Sequence, residues 1–503
     1  MAIDCIPQAL KLRRDRRWWR ATVDDGLWQE TAAGLAAGRW TLISLWGEAE
    51  GVRMALADEA YGEIGVVSLP CPERRFPSVG RQHPPALRLE RAARDLFGLE
   101  ADGAPDHRPW LDHGRWGVRY PLGLAKPDSA ATPYEFLPVQ GEGVHQIPVG
   151  PIHAGIIEPG HFRFSVNGET VVRLEQRLGY VHKGIEGLMA GTDPVSAVRL
   201  AGRASGDSTV AFALAFCQAG EAAMGIDVPR RAVWLRALMA ELERLANHFG
   251  DIGAICNDAA FAILQARFAL LREEVLRAAA DCFGHRLMMD RILPGGTAVD
   301  LPADGPRRLA RLVEMVRRQL PRLVEPYENT ASLKGRTVGT GLLSPELARR
   351  FGAGGYIGRA SGRQIDARLH PGYPPYDQLT FEVPVLNSGD VNARVWVRIS
   401  EVEQSLGLVE QILGALPDGP TRGEAAAGQG EQAAEGGALV EGFRGDIFVW
   451  LRLGGDGRVE RCHLRDPSWF QWPLLEAAIE GNIVADFPLC NKSFNCSYSG
   501  QDG

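Results

Sequence analysis

None of the eight cysteines in this chain pairs with another as Cys-x-x-Cys. They fall at Cys5, Cys71, Cys217, Cys256, Cys282, Cys462, Cys490 and Cys496, and the closest pair, Cys490 and Cys496, is too open for a zinc knuckle or an iron–sulfur signature. Scattered thiols without a secretory signal predict a reducing compartment, with each cysteine a small buried hydrophobe. No apolar run reaches the ~18 residues of a membrane-spanning helix. The first residues, MAIDCIPQALKLRRDRRWWR, are basic but lack the apolar stretch and small-residue cleavage site of a signal peptide. Positive charge is not in excess either. The net charge is −7 and the pI about 5.9, which excludes nucleic acid as the main partner.

What is present is an ordinary globular composition, 45% hydrophobic and 23% charged over 503 residues. That length suits about three domains and a core that needs no disulfide or metal staple. The segment LRRDRRWWR predicts a solvated start, or contact with a partner subunit or lipid surface. Residues 38–70 alternate as a small sheet. The stretch that follows has helical spacing at Leu87, Leu89, Ala92, Ala93 and Leu96. Residues 101–140, rich in Pro, Gly, Asp and His, read as an extended tail and linker. A few strands joined by Gly-Pro turns begin near Gln146. From Pro194 onward long amphipathic stretches predict a helical bundle. Residues 417–437 are low-complexity and read as a loop. ALVEGFRGDIFVWLRLGGDGRVERCHLRDPS then reads as a two-stranded hairpin around Gly-Gly-Asp-Gly. The fold class is therefore α+β: a small N-terminal α/β domain (1–125), a linker (126–145), and a large, mainly helical domain with short strands (146–503).

Six blocks carry a resemblance: GPIHAGIIEPGHFRF, LGYVHKGIEGLM, ELERLANHFGDIGA, GHRLMMDRILPGG, GDVNARVWVRISEVEQSL and VEGFRGDIFVWLRLG. In this order they resemble the 49-kilodalton subunit of respiratory complex I and the large subunit of energy-converting (group 4) nickel–iron hydrogenases. LERAARDLFGLEADGAPDHRPWL, within residues 38–120, resembles the 30-kilodalton subunit of complex I. The fusion of the two parts resembles the hydrogenase-4 component G type.

The resemblance implies a site and also what that site lacks. The family's nickel and iron are held by four thiolates from two Cys-x-x-Cys pairs, because soft anionic sulfur suits low-valent metal. Here Ser205 and Ser208 stand at the first pair, after Arg203. After Asp466-Pro467, Ser468 and Gln471 stand at the second. The expectation is that this chain binds no cofactor of its own. Glu158 matches the family's proton-relay glutamate, with burial raising its pKa, or else remains as a polar core residue. Arg444 matches the arginine over the iron ligands and, without them, is expected to pair with a carboxylate. His153 matches the quinone headgroup donor of complex I, while Gly206 falls where its tyrosine would be. His182 and Glu186 lie in the signature near the iron–sulfur partner; at i and i+4 they also have the spacing of half a helical metal site.

The resemblance further implies a peripheral-arm subunit on the cytoplasmic face of the inner membrane that keeps its full C-terminus. The implied partners are a small iron–sulfur subunit, which carries the cluster, and antiporter-like membrane subunits, coupling electron transfer to ion translocation. Two alternatives stay open: a subunit reducing quinone or another carrier in the same cavity, and a scaffold whose cavity is packed by Trp469 and Phe470.

Overall fold

The structure is a computed structural model and describes residues 10–11, 18–60, 62–127, 133–154, 157–423 and 433–503. The N-terminal sheet runs, edge to edge, Leu10–Lys11, Trp18–Thr22, Glu63–Pro70, Gly51–Asp58 and Thr41–Gly47. Only the pairing of Trp18–Thr22 with Glu63–Pro70 is parallel. Trp18 and Trp19 are buried in this domain, so the expected solvated start does not extend to them; Leu12–Arg17 lie outside the described residues. Two helices cover the sheet. The expected one spans Leu87–Phe97 and stops at Gly98, whose φ of +70° favours glycine. The other, Asp25–Ala36, was not anticipated. Its buried face is Trp28, Ala32 and Leu35 among small residues, a thin periodic signal, and Asp24 caps it by accepting from the Leu27 amide at 2.9 Å.

The large domain opens with an antiparallel sheet, Val144–Val149, His161–Asn167 and Thr170–Arg177, whose first strand starts inside the expected linker. Its helical body contains Thr209–Met224, Arg230–Asp258, Ala262–Phe283, Gly305–Asn329 and Val391–Ala415. Thr209–Met224 is apolar almost all round and lies in the middle of the body. Ala262–Phe283 is amphipathic instead, burying Leu264, Phe268, Leu271, Val275 and Ala279.

The predicted two-stranded hairpin is a three-stranded meander: Ala434–Gly442, Gly445–Leu453 and Val459–Arg465. The missed turn is Phe443-Arg444, hidden because Phe443 is apolar; Gly445 leaves it at φ +132°. The first strand also begins within the stretch read as loop, of which residues 424–432 lie outside the described residues.

The meander is where the two domains meet. Trp18, Ile43, Trp46, Ala55, Ile64 and Val66 of the first pack on Leu439, Phe448 and Trp450 of the second. Trp46 stacks on His463 at 4.7 Å between ring centroids, and Ser44 Oγ lies 2.8 Å from His463 Nε2. Glu435 accepts from Arg20 at 2.6 Å and Arg53 at 3.0 Å.

Candidate functional site

Three segments distant in sequence converge on one polar cluster. The first is the turn Ser205–Ser208, ahead of the Thr209–Met224 helix. The second is the Phe443-Arg444 turn of the meander. The third is Asn495–Ser497, between the helices Phe487–Phe494 and Tyr498–Asp502. Ser205 Oγ lies 2.8 Å from Ser497 Oγ and donates to Asp207 Oδ1 at 3.0 Å. Arg444 grips Asp207 with both terminal nitrogens, each at 2.6 Å, and donates to Ser208 Oγ at 3.3 Å and the Asn495 carbonyl at 2.5 Å. The expected carboxylate partner of Arg444 is thus Asp207.

The other two residues read as ligand positions act on backbone. Ser468 Oγ accepts from the Ser497 amide at 2.8 Å, and Gln471 Nε2 donates to the Arg444 carbonyl at 2.7 Å. Ser497, not singled out from the sequence, is the residue facing Ser205. With Gly500 it repeats the i, i+3 spacing of Ser205 and Ser208, and that spacing beside Cys496 was the available signal. A Cβ on Gly500 would stand 2.4 Å from Asp466 Oδ2 and 2.9 Å from Ser497 Oγ, so a side chain there would force both to shift.

The electrostatics follow from burial opposed by Arg444. Burial disfavours ionised Asp207, but the Arg444 charge and hydrogen bonds, helped by Ser205, hold its carboxyl below the usual range. For Asp466 burial prevails and its carboxyl is raised, although Arg444 and the Ser468 amide oppose the rise. On the adjoining helix, burial pushes the Glu243 carboxyl up to about 8 while it accepts the Val210 and Ala211 amides at 2.7 and 3.1 Å. Burial also raises the thiols: Cys496 far above its ordinary value, Cys490 to about 11. Among the described residues no three His, Cys, Asp or Glu side chains are grouped to hold a metal ion.

The remaining candidates lie around this cluster. Glu158 is exposed, not buried as expected, and accepts from the Ser499 amide at 3.0 Å, tying its loop to the last helix. His153 Nε2 lies 2.7 Å from the Gly160 carbonyl and closes the same loop; Gly155 and Ile156 are outside the described residues. His182 and Glu186 do not form a helical pair, because Gly184, at φ +66°, separates His182 from the helix Ile185–Met189. His182 stacks on Trp116 and its Nδ1 lies 2.6 Å from the Asp502 carbonyl. Glu186 meets Arg461 at 2.7 Å and His463 at 2.9 Å. Lys183 donates to the carbonyls of Arg203 and Ala204 at 2.7 and 3.0 Å, holding the strand of chain that presents Ser205; burial lowers its pKa. Beside it a cavity of about 620 Å³ opens between the domains, lined by Trp46, Phe97, Trp116, His182 and Trp469.

Comparison with known proteins assigns the two domains to a class. Residues 259–435 match the family of the respiratory-chain NADH dehydrogenase 49 Kd subunit, and residues 54–127 that of its 30 Kd subunit. Formate hydrogenlyase subunit 5 of Escherichia coli (strain K12) is 34% identical over 438 residues, covering 85% of this chain and 77% of that protein. Hydrogenase-4 component G of the same organism is 31% identical over 440 residues, covering 85% and 76%. Among solved structures, a chain of the membrane-bound sulfane sulfur reductase, an archaeal respiratory membrane complex, superposes with a TM-score of 0.67 at 26% identity, covering 73% of this chain and all of that one. The protein belongs to the family that joins the large subunits of group 4 hydrogenases to the 49-kilodalton subunit of complex I, with the 30-kilodalton-like domain fused in front.

Proposed function

We propose that this chain is the peripheral large subunit of a membrane-bound, complex I-like oxidoreductase and has no nickel–iron centre of its own. The relatives are named as a hydrogenlyase subunit, a hydrogenase component and part of a sulfane sulfur reductase, so one fold serves several chemistries and the site must decide. Among the described residues no helix is long and apolar enough to cross a membrane. An iron–sulfur subunit delivers the electrons, and antiporter-like membrane subunits use the energy to move ions.

The observation that carries the metal-free reading is the donor set. At the four positions read as thiolates, Ser205 bonds to Ser497 and Asp207, Ser208 accepts from Arg444, Ser468 holds the Ser497 amide and Gln471 the Arg444 carbonyl, while Asp207 is already neutralised by Arg444. Neutral hydroxyls are poor ligands for soft low-valent metal. The thiol next to Ser497, Cys496, is held protonated by burial. Metal analysis of the native complex tests this reading: iron from the partner's clusters and no nickel is expected. Stoichiometric nickel, or infrared bands of iron-bound carbonyl and cyanide, ends it.

A further inference from the structure

Away from the Ser205–Ser497 contact, the helical body holds a second ionisable cluster whose charges do not balance. Its members are Glu241 and Arg244 on the Arg230–Asp258 helix, Arg359 on the Gly355–Ala360 helix, and Asp366 and Arg368 just beyond it. Glu401 on the Val391–Ala415 helix and Glu441 on the first meander strand complete it, and every member is 2% exposed or less. Arg359 donates to Glu401 at 2.7 Å and to Glu441 at 3.0 Å. Arg368 joins Asp366 at 2.7 Å to Glu241 at 3.0 Å. Arg244 lies 3.4 Å from Glu241 and donates to the Glu441 and Gly442 carbonyls at 2.8 and 3.0 Å.

The surrounding groups do not supply the missing charge. His248, 2.7 Å from Glu401, is kept neutral by burial. The Tyr376 hydroxyl and Ser405 each donate to Glu241 at 2.7 Å, and the Tyr373 hydroxyl lies 3.3 Å from the Glu441 amide. Asp446 is paired with Arg465, and Asp251 with Arg398 at 3.1 Å. Three guanidiniums, which stay charged at any pH a protein meets, therefore face four carboxyl groups. An uncompensated charge out of water is costly, and one proton removes it.

The proton belongs on the carboxyl with the fewest charged donors. Glu241 has Arg368, Arg244, Tyr376 and Ser405; Asp366 has Nε and Nη2 of Arg368 and, at 3.4 Å, Arg359; Glu401 has Arg359, neutral His248 and, at 4.0 Å, Arg244. Glu441 has Arg359 alone and one amide, that of Ala367 at 2.9 Å. We propose that Glu441 carries an exchangeable proton, which makes the Glu241–Arg368–Asp366–Arg359–Glu441 cluster a one-proton store inside the subunit. Burial, with Asp366 beside it, pushes the Glu441 carboxyl up to about 7, while Arg368 outweighs burial at Asp366 and holds it near 2.

The store has a way in and a way to be felt. A cavity of about 540 Å³, lined by Arg368, Tyr373 and Tyr376, reaches its edge. Arg359 Nη2 is buried without an acceptor and suits a water that carries the proton onward. Glu441 stands three residues before Arg444 on the same strand and turn, so filling or emptying the store changes the field on the arginine that grips Asp207. Nothing here depends on whether the Ser205 site holds metal.

Infrared difference spectroscopy of the purified complex during a pH titration reads the store directly. A carboxylic-acid carbonyl component should titrate away as the pH rises through about 7. Because Glu90, Glu243 and Asp502 also titrate high, the signal is the part lost in E441Q. D366N should abolish the same component, since one negative charge fewer closes the count without a proton. An E441Q spectrum identical to wild type, or the component surviving at neutral pH in D366N, overturns the proposal. If E441Q does not assemble, D366N decides it.

Discussion

Arg444 and Asp207 form the strongest single contact of the site, a bidentate pair whose side chains are 5% and 36% exposed. Asp207 keeps enough contact with water to screen part of the attraction. Arg444→Met should therefore cost about 1–3 kcal/mol, between the exposed and buried limits for losing an ion-pair partner. In the double variant with Asp207→Asn most of that loss should be recovered. Thermal unfolding of the four proteins in a mutant cycle measures it; strictly additive losses would mean that the two residues do not act together. The arginine's role as carboxylate partner was legible in the sequence because a guanidinium without its ligands needs an anion. The identity of the facing serine was not. Asp466-Pro467 directs attention to Ser468 and Gln471, and no local pattern tells which later segment folds back to Ser205. That contact is tertiary: it depends on the turn at Asn495, in the left-handed region at φ +46°, which aims Ser497 inward.

At the scale of the element, the Thr209–Met224 helix starts under an unusual cap. Ser208 makes no side-chain cap bond, and Glu243 from the neighbouring helix takes the Val210 and Ala211 amides instead. Its carboxyl rises from an ordinary 4.5 to about 8. The folded state thus binds the proton more tightly than the unfolded chain does. The stability this gives is complete below pH 4.5 and disappears as the pH passes through about 8. Glu243→Gln, neutral at every pH, should flatten the fall in melting temperature across that interval; a slope equal to that of wild type would refute the assignment. Long periodic helices such as Ala262–Phe283 were readable from spacing alone. Asp25–Ala36 and the Phe443-Arg444 turn were not, one because alanine and glycine dilute its apolar stripe, the other because an apolar residue occupies the bend.

For the whole molecule, the docking of the first domain on the meander is the critical joint. Trp46 is 3% exposed and touches His463, Phe448 and Trp450. Trp46→Ala should destabilise the chain by ~3–5 kcal/mol, as for other large-to-small aromatic deletions. It should also speed cleavage in the 101–140 segment under limited proteolysis, since a loosened joint leaves that segment as the tether. An unchanged digestion pattern would show that the joint does not depend on this ring. Block order was enough to expect an α+β fold with a small domain ahead of a large helical one, where length alone suggested about three; the surface that joins them could not be read from either.

The strands Ala434–Gly442 and Gly445–Leu453 are buried on both faces. Ala438, Val440, Ile447, Val449 and Leu451 turn toward the helices, while Leu439, Phe448 and Trp450 turn toward the first domain. The meander is therefore a party wall between two buildings. A chain trimmed to its larger part would leave Phe448 and Trp450 bare to water, and such a fragment would sooner stick to its own copies than serve as a stand-alone subunit.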